Sequence, residues 1–393
     1  MILRARWVLG PEGRLFDGAV EVEGGEIRRL LVGSKAIRNA GGRVEDLGDG
    51  LLAPGFVNAH AHLELGELKG RVRRGTSFVE WVGELLRERE TLTDASLRTA
   101  LERGTARLLE TGTTAVGDIA STSVAGRASR GSIRSVVYRE VLDAADSSRV
   151  ESALAKVRRA LPKRRLRIEG ISPHAPYSVS APLFDGVREL LGRRPMPVTV
   201  HWAETPGEVE WMRSGTGEWA PFLGRSPRSS GLDHIESAGL LNPRTSLVHG
   251  NHPEPGDPER IAEAGVVLVH CPGSHAFFDR PPFELGRYLR AGVRIALGTD
   301  SLASNEDLDM GRELGLLRRS HPGLAPLEAF RMATEGGAAA LGFGRQVGEL
   351  RPGAWADLAF HRFEGTDPIE EVSLGRGEVA GVWVGGRRVF RRL

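Results

Sequence analysis

The sequence contains a single cysteine, Cys271, among 393 residues. One thiol excludes an intrachain disulfide and any metal site built from several cysteines. Disulfides are rare in proteins of reducing compartments, so we expect a cytoplasmic protein. The N-terminus supports this prediction, because arginines interrupt its apolar stretch and it does not resemble a signal peptide.

Long apolar runs and an excess of one charge are also absent. No run approaches the length needed to span a bilayer. The formal net charge is +2, and basic residues are spread along the chain apart from short clusters such as Arg158–Arg159 and Lys163–Arg167. That distribution is typical of a solvated surface rather than of a groove that follows a nucleic acid. We therefore expect a small-molecule substrate, with neither a membrane nor a nucleic acid as a partner.

The middle of the chain alternates short apolar strands with helical patterns, for example at 78–89 and 97–110. The predicted strands are Gly55–Ala59, Thr114–Gly117, Ser135–Val141, Arg167–Ile171, Val198–His201, Ser246–His249, Val266–Val269 and Arg294–Leu297. Most are apolar runs of the kind that parallel sheets bury on both faces. Eight such strands with intervening helices predict an α/β fold, a (β/α)8 TIM barrel.

The two ends of the chain differ from the middle. Residues 1–53 and 347–393 carry short apolar stretches broken by glycine pairs and turns, which is typical of small β units. We expect both ends to complete one small β-sandwich domain beside a barrel at 54–346. A Gly-, Ser- and Pro-rich segment, Gly215–Leu241, is predicted to form a long loop near the barrel mouth.

Metal-binding residue types stand at the ends of predicted strands, where barrel active sites form. His60 and His62 follow the first strand, and side chains two apart in an extended segment point the same way. His201, His249 and Asp300 each end a later strand. Imidazole and carboxylate ligands suit a divalent ion such as Zn²⁺ with one position left open for water. Fe²⁺ shares these ligands and stays an alternative.

Glu204 lies three residues after His201, where the strand is ending. A carboxylate beside a metal-activated water is well placed to take its proton. The structural alternative is a glutamate stabilised by the dipole of a helix N-terminus. Next to a candidate ligand histidine, the catalytic interpretation is favoured.

Three further residues are predicted to contact the substrate. His174 lies between two prolines after the fourth strand, where the alternative is a loop residue that bonds only the backbone. Trp81 can stack on a planar substrate, with core packing as its alternative. His275 follows the seventh strand and is expected either to line the pocket or only to pack.

Together these motifs resemble those of the amidohydrolase superfamily, in the branch that contains cytosine deaminase, guanine deaminase and the chlorotriazine hydrolases. The matching segments are Pro54–Leu63, His201–Glu204, Leu247–His249, His270–Ser274, Leu297–Ser301 with Asn305, and Gly348–Asp357. They span nearly the whole chain in the family's order. Segments 174–178 and 271–275 are similar to those of aminofutalosine deaminases, although His275 replaces the usual asparagine.

The resemblance implies roles that spacing alone does not separate. It implies one metal ion per chain, and the implied ligands are His60, His62, His201 and Asp300. It also implies that Glu204 shuttles protons, that Asp300 helps to orient the water, and that His249 bonds the water or the substrate without necessarily binding metal. Many relatives hold two ions bridged by a carboxylated lysine, but none of this chain's four lysines (Lys35, Lys69, Lys156 and Lys163) lies at a predicted strand end.

The reaction predicted from the resemblance is hydrolytic deamination of an amino-substituted nitrogen heterocycle, such as a purine nucleoside or an aminofutalosine-like compound. Hydrolysis of an amide, a cyclic amide or a C–Cl bond at the same site is the first alternative. A non-enzymatic interaction protein is the second, and the complete ligand set disfavours it. The family resemblance also suggests a homodimer.

Overall fold

The computed structural model describes residues 1–74, 77–128, 130–161 and 164–392. Lys163, which belongs to both the predicted basic cluster and the lysine set, lies outside them. The strands of the described residues are β1 Ile2–Leu9, β2 Leu15–Glu23, β3 Glu26–Val32, β4 Val44–Asp46, β5 Leu51–Pro54, β6 Phe56–Ala61, β7 Thr113–Ala120, β8 Arg134–Val141, β9 Arg167–Pro173, β10 Val198–Trp202, β11 Thr245–His249, β12 Val267–His270, β13 Arg294–Leu297, β14 Leu358–Arg362, β15 Glu378–Val384 and β16 Arg387–Arg391.

Helices fill most of the connections between the barrel strands. The α-helices are α1 Gly33–Ala40, α2 Phe78–Glu90, α3 Asp94–Glu110, α4 Ser123–Arg127, α5 Val150–Arg158, α6 Ala181–Arg193, α7 Pro206–Ser214, α8 Gly231–Ser237, α9 Asp257–Glu263, α10 Pro272–Phe277, α11 Leu285–Arg290, α12 Met310–Ser320, α13 Pro326–Arg331, α14 Gly337–Ala340 and α15 Pro368–Ser373. Among the described residues, no helix combines the length and apolarity needed to cross a bilayer.

Strands β6 to β13 form the predicted barrel. Each strand pairs in parallel with the next along the chain. Their side chains are almost all buried, as expected where helices cover one face of a parallel sheet and other strands the opposite face. The eight predicted strands match the observed ones to within a few residues at each end, which confirms the predicted fold class.

The barrel closes where the last strand meets the first. The backbone N–H groups of Thr299 and Asp300 both donate to the carbonyl of His60 at 3.0 Å. The buried side chain of Asn58 donates to the Thr299 hydroxyl at 2.8 Å and accepts from the Thr299 N–H at 3.2 Å. This closure sets the predicted ligands of the first strand beside Asp300.

The strands outside the barrel form one second sheet built from both ends of the chain. β5 runs antiparallel to β14, so the N-terminal and C-terminal segments join at this pair. This sheet contributes to an apolar core of its own, which includes Leu3, Phe16, Val20, Ile27, Phe360 and Trp383. This is the small β unit that the sequence predicted, whereas its exact division from the barrel at 53/54 and 346/347 stays a prediction.

A buried ion pair anchors this sheet to the barrel. Arg134, at the start of β8, donates to both carboxylate oxygens of Asp357 at 2.6 and 3.0 Å. The Arg134 guanidinium also lies over the Trp355 ring, 3.9 Å from its centroid. Asp357 belongs to the Gly348–Asp357 motif, and its contacts show that this part of the motif serves the fold.

The segment Gly215–Leu241 differs from its prediction as one long loop. Ser230 caps a short helix, α8, with its side chain accepting from the N–H of Asp233. The rest is largely turns and irregular chain, and it brings Trp219 and Phe222 to the mouth of the barrel.

Gly298 directly follows β13, at the point where the chain passes His60 of β6. A Cβ atom there would lie 2.8 Å from both the Cβ and the backbone oxygen of His60. We predict that Gly298→Ala lowers the free energy of unfolding by about 1–3 kcal/mol, because overpacking at a barrel closure has little room to relax.

The control for this prediction is Gly192→Ala, in helix α6, where a Cβ would meet nothing within 4 Å. That change should leave stability unchanged or raise it by about 0.5–1 kcal/mol, as expected for glycine to alanine in a helix. Thermal unfolding followed by circular dichroism measures both. Equal unfolding midpoints for the two variants would contradict the close approach.

Candidate active site

Four predicted ligands converge at the carboxyl end of the barrel. His60 lies in β6 and His62 directly follows it, with ring centroids 4.9 Å apart. His201, in β10, places its Nε2 3.4 Å from Nε2 of His62. Asp300 Oδ1 lies 3.6 Å from His60 Nε2 and 3.7 Å from His62 Nε2. Three imidazoles and one carboxylate oxygen therefore face a common point.

The hydrogen bonds around these side chains leave their metal-facing atoms free. His201 Nδ1 donates to the carbonyl of His174 at 2.9 Å, so its Nε2 keeps a lone pair. Asp300 Oδ2 accepts from the hydroxyls of Ser274 and Ser304 at 2.7 and 2.9 Å. Neighbouring groups thus orient two of the four ligands without occupying the atoms that face the common point.

His60 provides a direct test of whether a metal fits. Both of its ring nitrogens are buried and have no hydrogen-bond partner among the described residues. Burying such groups unpaired is costly, and a bound cation removes that cost for the facing nitrogen. Burial also lowers the pKa of His62 to about 3, which keeps the imidazole in the neutral form that binds metal. The donor set fits a divalent metal ion.

The described lysines do not form a bridge to a second ion. Lys35 lies in α1, Lys156 in α5, and Lys69 follows the short helix at 63–68. The fourth barrel strand is instead followed by His174. None of these three lysines lies at the carboxyl end of a barrel strand, and the number of ions stays a prediction.

Glu204 is held by its backbone as well as by its side chain. Ala203 adopts φ 49°, a left-handed conformation that turns the chain sharply after β10. Glu208, in α7, accepts from the N–H groups of Ala203 and Glu204 at 2.9 and 2.8 Å. Burial raises the pKa of Glu208 to about 8. These contacts turn the Glu204 side chain toward the predicted ligands.

The Glu204 carboxylate bridges two basic side chains. Its Oε2 lies 3.6 Å from Nε2 of His249, and its Oε1 accepts from Arg280 Nη2 at 2.8 Å. The Arg280 guanidinium in turn lies over the rings of Phe78 and Phe278, 5.6 and 4.7 Å from their centroids. Burial raises the pKa of Glu204, and Arg280 partly offsets that rise.

Backbone strain is concentrated at the ends of the site strands. His249 adopts φ 75° and Asp300 φ 58°, in the region that residues other than glycine seldom occupy. Such strain persists where the surrounding structure fixes it, and it gathers at functional sites. Here it aims both side chains inward.

A cavity of about 550 Å³ opens above the candidate site. Its floor is formed by His62, His201, Glu204, His249 and Asp300. Its walls are largely apolar and include Phe78, Trp81, Tyr177, Trp219 and Phe278. The structure thus brings Trp81 and His174, two of the predicted substrate contacts, to the same cavity as Glu204 and His249. A planar apolar molecule with a few polar groups suits such a lining.

His275 does not line this cavity. Its Nδ1 lies 3.2 Å from Asn251 Oδ1 and its Nε2 lies 2.7 Å from the carbonyl of Pro281, so both ring nitrogens already have protein partners. The geometry gives His275 the packing role that was the alternative in the sequence.

Two polar residues of the floor were missed from the sequence, and so was Arg280. Glu140, near the end of β8, and Ser121, directly after β7, both line the cavity. An acidic residue at the end of an otherwise apolar strand was a signal that could have revealed Glu140. Arg280 lies in an irregular segment between α10 and α11, and no pattern marks it.

Comparison with known proteins places the chain in a family. The model of the amidohydrolase family matches residues 51–389. The chain therefore belongs to this family, as its motifs predicted, and is a hydrolase that acts on C–N bonds.

Individual relatives agree with that placement. A 5-methylthioadenosine/S-adenosylhomocysteine deaminase from Syntrophobacter fumaroxidans is 31% identical over 375 residues, which cover 89% of this chain and 81% of that protein. An aminodeoxyfutalosine deaminase from Deinococcus radiodurans is 30% identical over 356 residues, covering 85% and 83%. The crystal structure of a zinc-bound adenosine deaminase from Xanthomonas campestris superposes with a TM-score of 0.81 at 26% identity, covering 98% and 92%.

Because three imidazoles converge on one point, removing one of them should weaken metal binding. We expect about one equivalent of divalent metal per purified chain, and well below half of that in His62→Ala, because a four-ligand site loses one donor. Elemental analysis by mass spectrometry measures both. His252→Ala is the control, since His252 does not line the cavity, and it should keep its metal. Full metal in His62→Ala would contradict the assigned ligand set.

The Arg280–Glu204 ion pair predicts a shift in pH dependence. Arg280 lowers the pKa of Glu204, so Arg280→Met should raise it. If Glu204 works as a carboxylate, activity rises with pH through that pKa, and the acid limb of kcat/KM should move to higher pH. Arg280→Lys, which keeps the charge, should move it less. An unchanged acid limb in Arg280→Met would exclude this coupling.

Proposed function

We propose that this protein is a zinc-dependent deaminase that hydrolyses the exocyclic amino group of a purine nucleoside or an aminofutalosine-like compound. The observation that carries the proposal is Glu204, which lies beside the candidate metal ligands on the floor of an aromatic cavity. The activities of the Syntrophobacter, Deinococcus and Xanthomonas proteins support the same reaction.

The ligand set supports one Zn²⁺ ion per chain, bound by His60, His62, His201 and Asp300. Imidazole nitrogens and a carboxylate oxygen are donors that would hold zinc. An ion held there would supply Lewis-acid activation of the attacking water. The experiment on His62→Ala tests this ligand set, and the element found in the wild type decides between zinc and iron.

The side chains of the floor divide the remaining work. Glu204 takes a proton from the water with its Oε2 and delivers it to a ring nitrogen of the heterocycle, then assists departure of ammonia. His249, 3.6 Å from that carboxylate, holds the attacking water or the substrate by a hydrogen bond. Trp81 and Phe78 stack at 5.6 Å on the cavity wall and favour a planar ring. His174, whose ring centroid lies 4.9 Å from that of His201, contributes a polar contact.

The cavity favours a heterocycle that carries a substituent over a free base. At about 550 Å³ it exceeds the space that a single small ring fills. Its outer wall includes the partly exposed apolar side chains of Leu86, Leu142 and Phe222. Those side chains are placed to contact the part of the substrate that lies beyond the reacting ring.

The first experiment is ammonia release by zinc-loaded protein with adenosine, 5′-methylthioadenosine, S-adenosylhomocysteine, aminodeoxyfutalosine, adenine and an aminotriazine. We expect turnover of at least one nucleoside. Glu204→Gln should reduce kcat by more than about 100-fold, in the range typical for a general acid–base, while zinc stays bound. Release of ammonia at the wild-type rate by Glu204→Gln would exclude the assigned role.

The same experiment separates the alternatives. No ammonia from any substrate, with zinc present at one equivalent, would favour hydrolysis of an amide or a C–Cl bond at this site. Absence of metal from the purified wild-type protein would instead favour a non-enzymatic role.

A further inference from the structure

Glu140 is a buried acid in the cavity that the proposed proton transfers do not use. In β8, alternate side chains face opposite sides, so Glu140 and Tyr138 point inward whereas Arg139 points outward. Arg139 accordingly donates to the carbonyl of Arg159 at 2.7 Å and to Glu169 at 3.0 Å, outside the cavity. The position of Glu140 at the carboxyl end of the strand places its carboxylate in the floor.

This carboxylate has room for further hydrogen bonds. Glu140 is only 8% exposed, and its Oε2 accepts from the Ser121 hydroxyl at 2.6 Å. Within the described ranges, no arginine, lysine or histidine forms an ion pair with it. An ionised carboxylate can accept about four hydrogen bonds, and one buried without a cation needs donors to offset its desolvation.

A second metal ion does not supply the missing partner. Carboxylate and imidazole atoms of Glu140, His174 and His201 do lie within 4.8 Å of one another. However, His201 Nε2 faces His62 in the first site, and its Nδ1 donates to the His174 carbonyl. Only two of the three residues keep a free ligand atom, which is too few for a second structural site of this kind.

The neighbouring histidine presents a second hydrogen-bonding group. His174 Nδ1 lies 2.6 Å from the Ser178 hydroxyl, and that hydroxyl donates to the carbonyl of Ala175 at 3.2 Å. The contact with Ser178 occupies Nδ1 of His174, so Nε2 is the ring nitrogen left for a further hydrogen bond. Glu140 and His174 therefore place a carboxylate acceptor and an imidazole nitrogen near each other in the cavity. Hydroxyl groups on adjacent carbons can bond both, because a hydroxyl donates as well as accepts.

We propose that Glu140, oriented by Ser121, determines specificity by accepting hydrogen bonds from hydroxyl groups on the substituent of the heterocycle, as a ribose would provide. This inference rests on the proposed deamination, and it narrows the substrate class to hydroxylated nucleosides. Free bases and triazines lack the hydroxyl groups from which Glu140 would accept hydrogen bonds. Glu140 thus contributes to substrate choice and takes no part in proton transfer to the ring.

The test combines a substitution of Glu140 with removal of single hydroxyl groups from the substrate. Adenosine and 5′-methylthioadenosine are assayed against their 2′-deoxy and 3′-deoxy analogues, in wild type and Glu140→Gln. We expect Glu140→Gln to lower kcat/KM for the ribonucleosides about 10- to 100-fold, as for loss of a hydrogen bond to a charged group, mainly through KM. For the analogue that lacks the contacted hydroxyl, the loss should be about threefold or less.

Two further variants control this comparison. Ser121→Ala should show the same selectivity with a smaller loss, because it removes only the hydrogen bond that orients the carboxylate. Glu169→Gln, the same substitution on the outward side of β9, should leave the ratio of ribonucleoside to deoxynucleoside unchanged. Circular dichroism and metal content of each variant separate a specificity effect from misfolding.

Several outcomes would overturn the proposal. An equal loss of kcat/KM for all substrates in Glu140→Gln would show that Glu140 supports the fold or the electrostatics of the whole site and does not select among substrates. Two equivalents of metal in wild type and one in Glu140→Gln would assign Glu140 to a second ion. Wild-type turnover of adenine as efficient as that of adenosine would show that no hydroxyl is read.

Failure of deamination itself is distinguishable by binding. If wild type releases no ammonia from any nucleoside, the affinities of coformycin and 2′-deoxycoformycin are measured by calorimetry for wild type and Glu140→Gln. A preference for coformycin in wild type that Glu140→Gln abolishes would support the subsite although the proposed function fails. Equal affinities, or no binding of either compound, would overturn the subsite as well.

Discussion

Closure of the barrel between β13 and β6 is the interaction on which the rest of the site depends. The carbonyl of His60 accepts from the N–H groups of Thr299 and Asp300, so the first and last strands are held in one register. That register places Asp300 Oδ1 within 3.7 Å of both His60 and His62. Gly298 permits the approach because any side chain there would meet His60. A residue pair more than 200 positions apart thereby becomes one ligand set.

The barrel mouth divides into two functional arcs. The carboxyl ends of β6, β10 and β13 supply the candidate metal ligands, the turn after β10 supplies Glu204, and β11 ends in His249. Strands β7, β8 and β9 supply Ser121, Glu140 and His174, which form a polar arc beside His201. The first arc suits hydrolytic chemistry of the family, and the second suits recognition of what the reacting ring carries. This separation is a property of the fold, in which any strand end can change without moving the others.

Several buried ionisable side chains hold the site and the terminal sheet in place without taking part in the proposed proton transfers. Arg134 and Asp357 join the terminal sheet to the barrel, and Glu208 holds the turn that presents Glu204. Arg280 donates to the carboxylate of Glu204 and balances its charge. Breaking one partner of such a pair leaves the other buried and unpaired, which costs far more than a surface ion pair gains. These residues therefore constrain the site together with the candidate ligands.

The sequence by itself determined the barrel, the sheet shared by both termini and the set of candidate ligands. Apolar runs of strand length, with histidines at their ends, are local patterns that can be seen in the sequence. Few folds bury eight parallel strands and place functional side chains at their carboxyl ends, so these patterns predict the barrel. Only the tertiary structure decided which polar groups face one another. Arg280 reaches Glu204 from 76 positions away, Glu140 meets Ser121 through strand pairing, and His275 turns to Asn251 instead of the cavity. Such contacts depend on side-chain direction and loop path, which are fixed by packing across the whole barrel and leave no periodic trace in the chain.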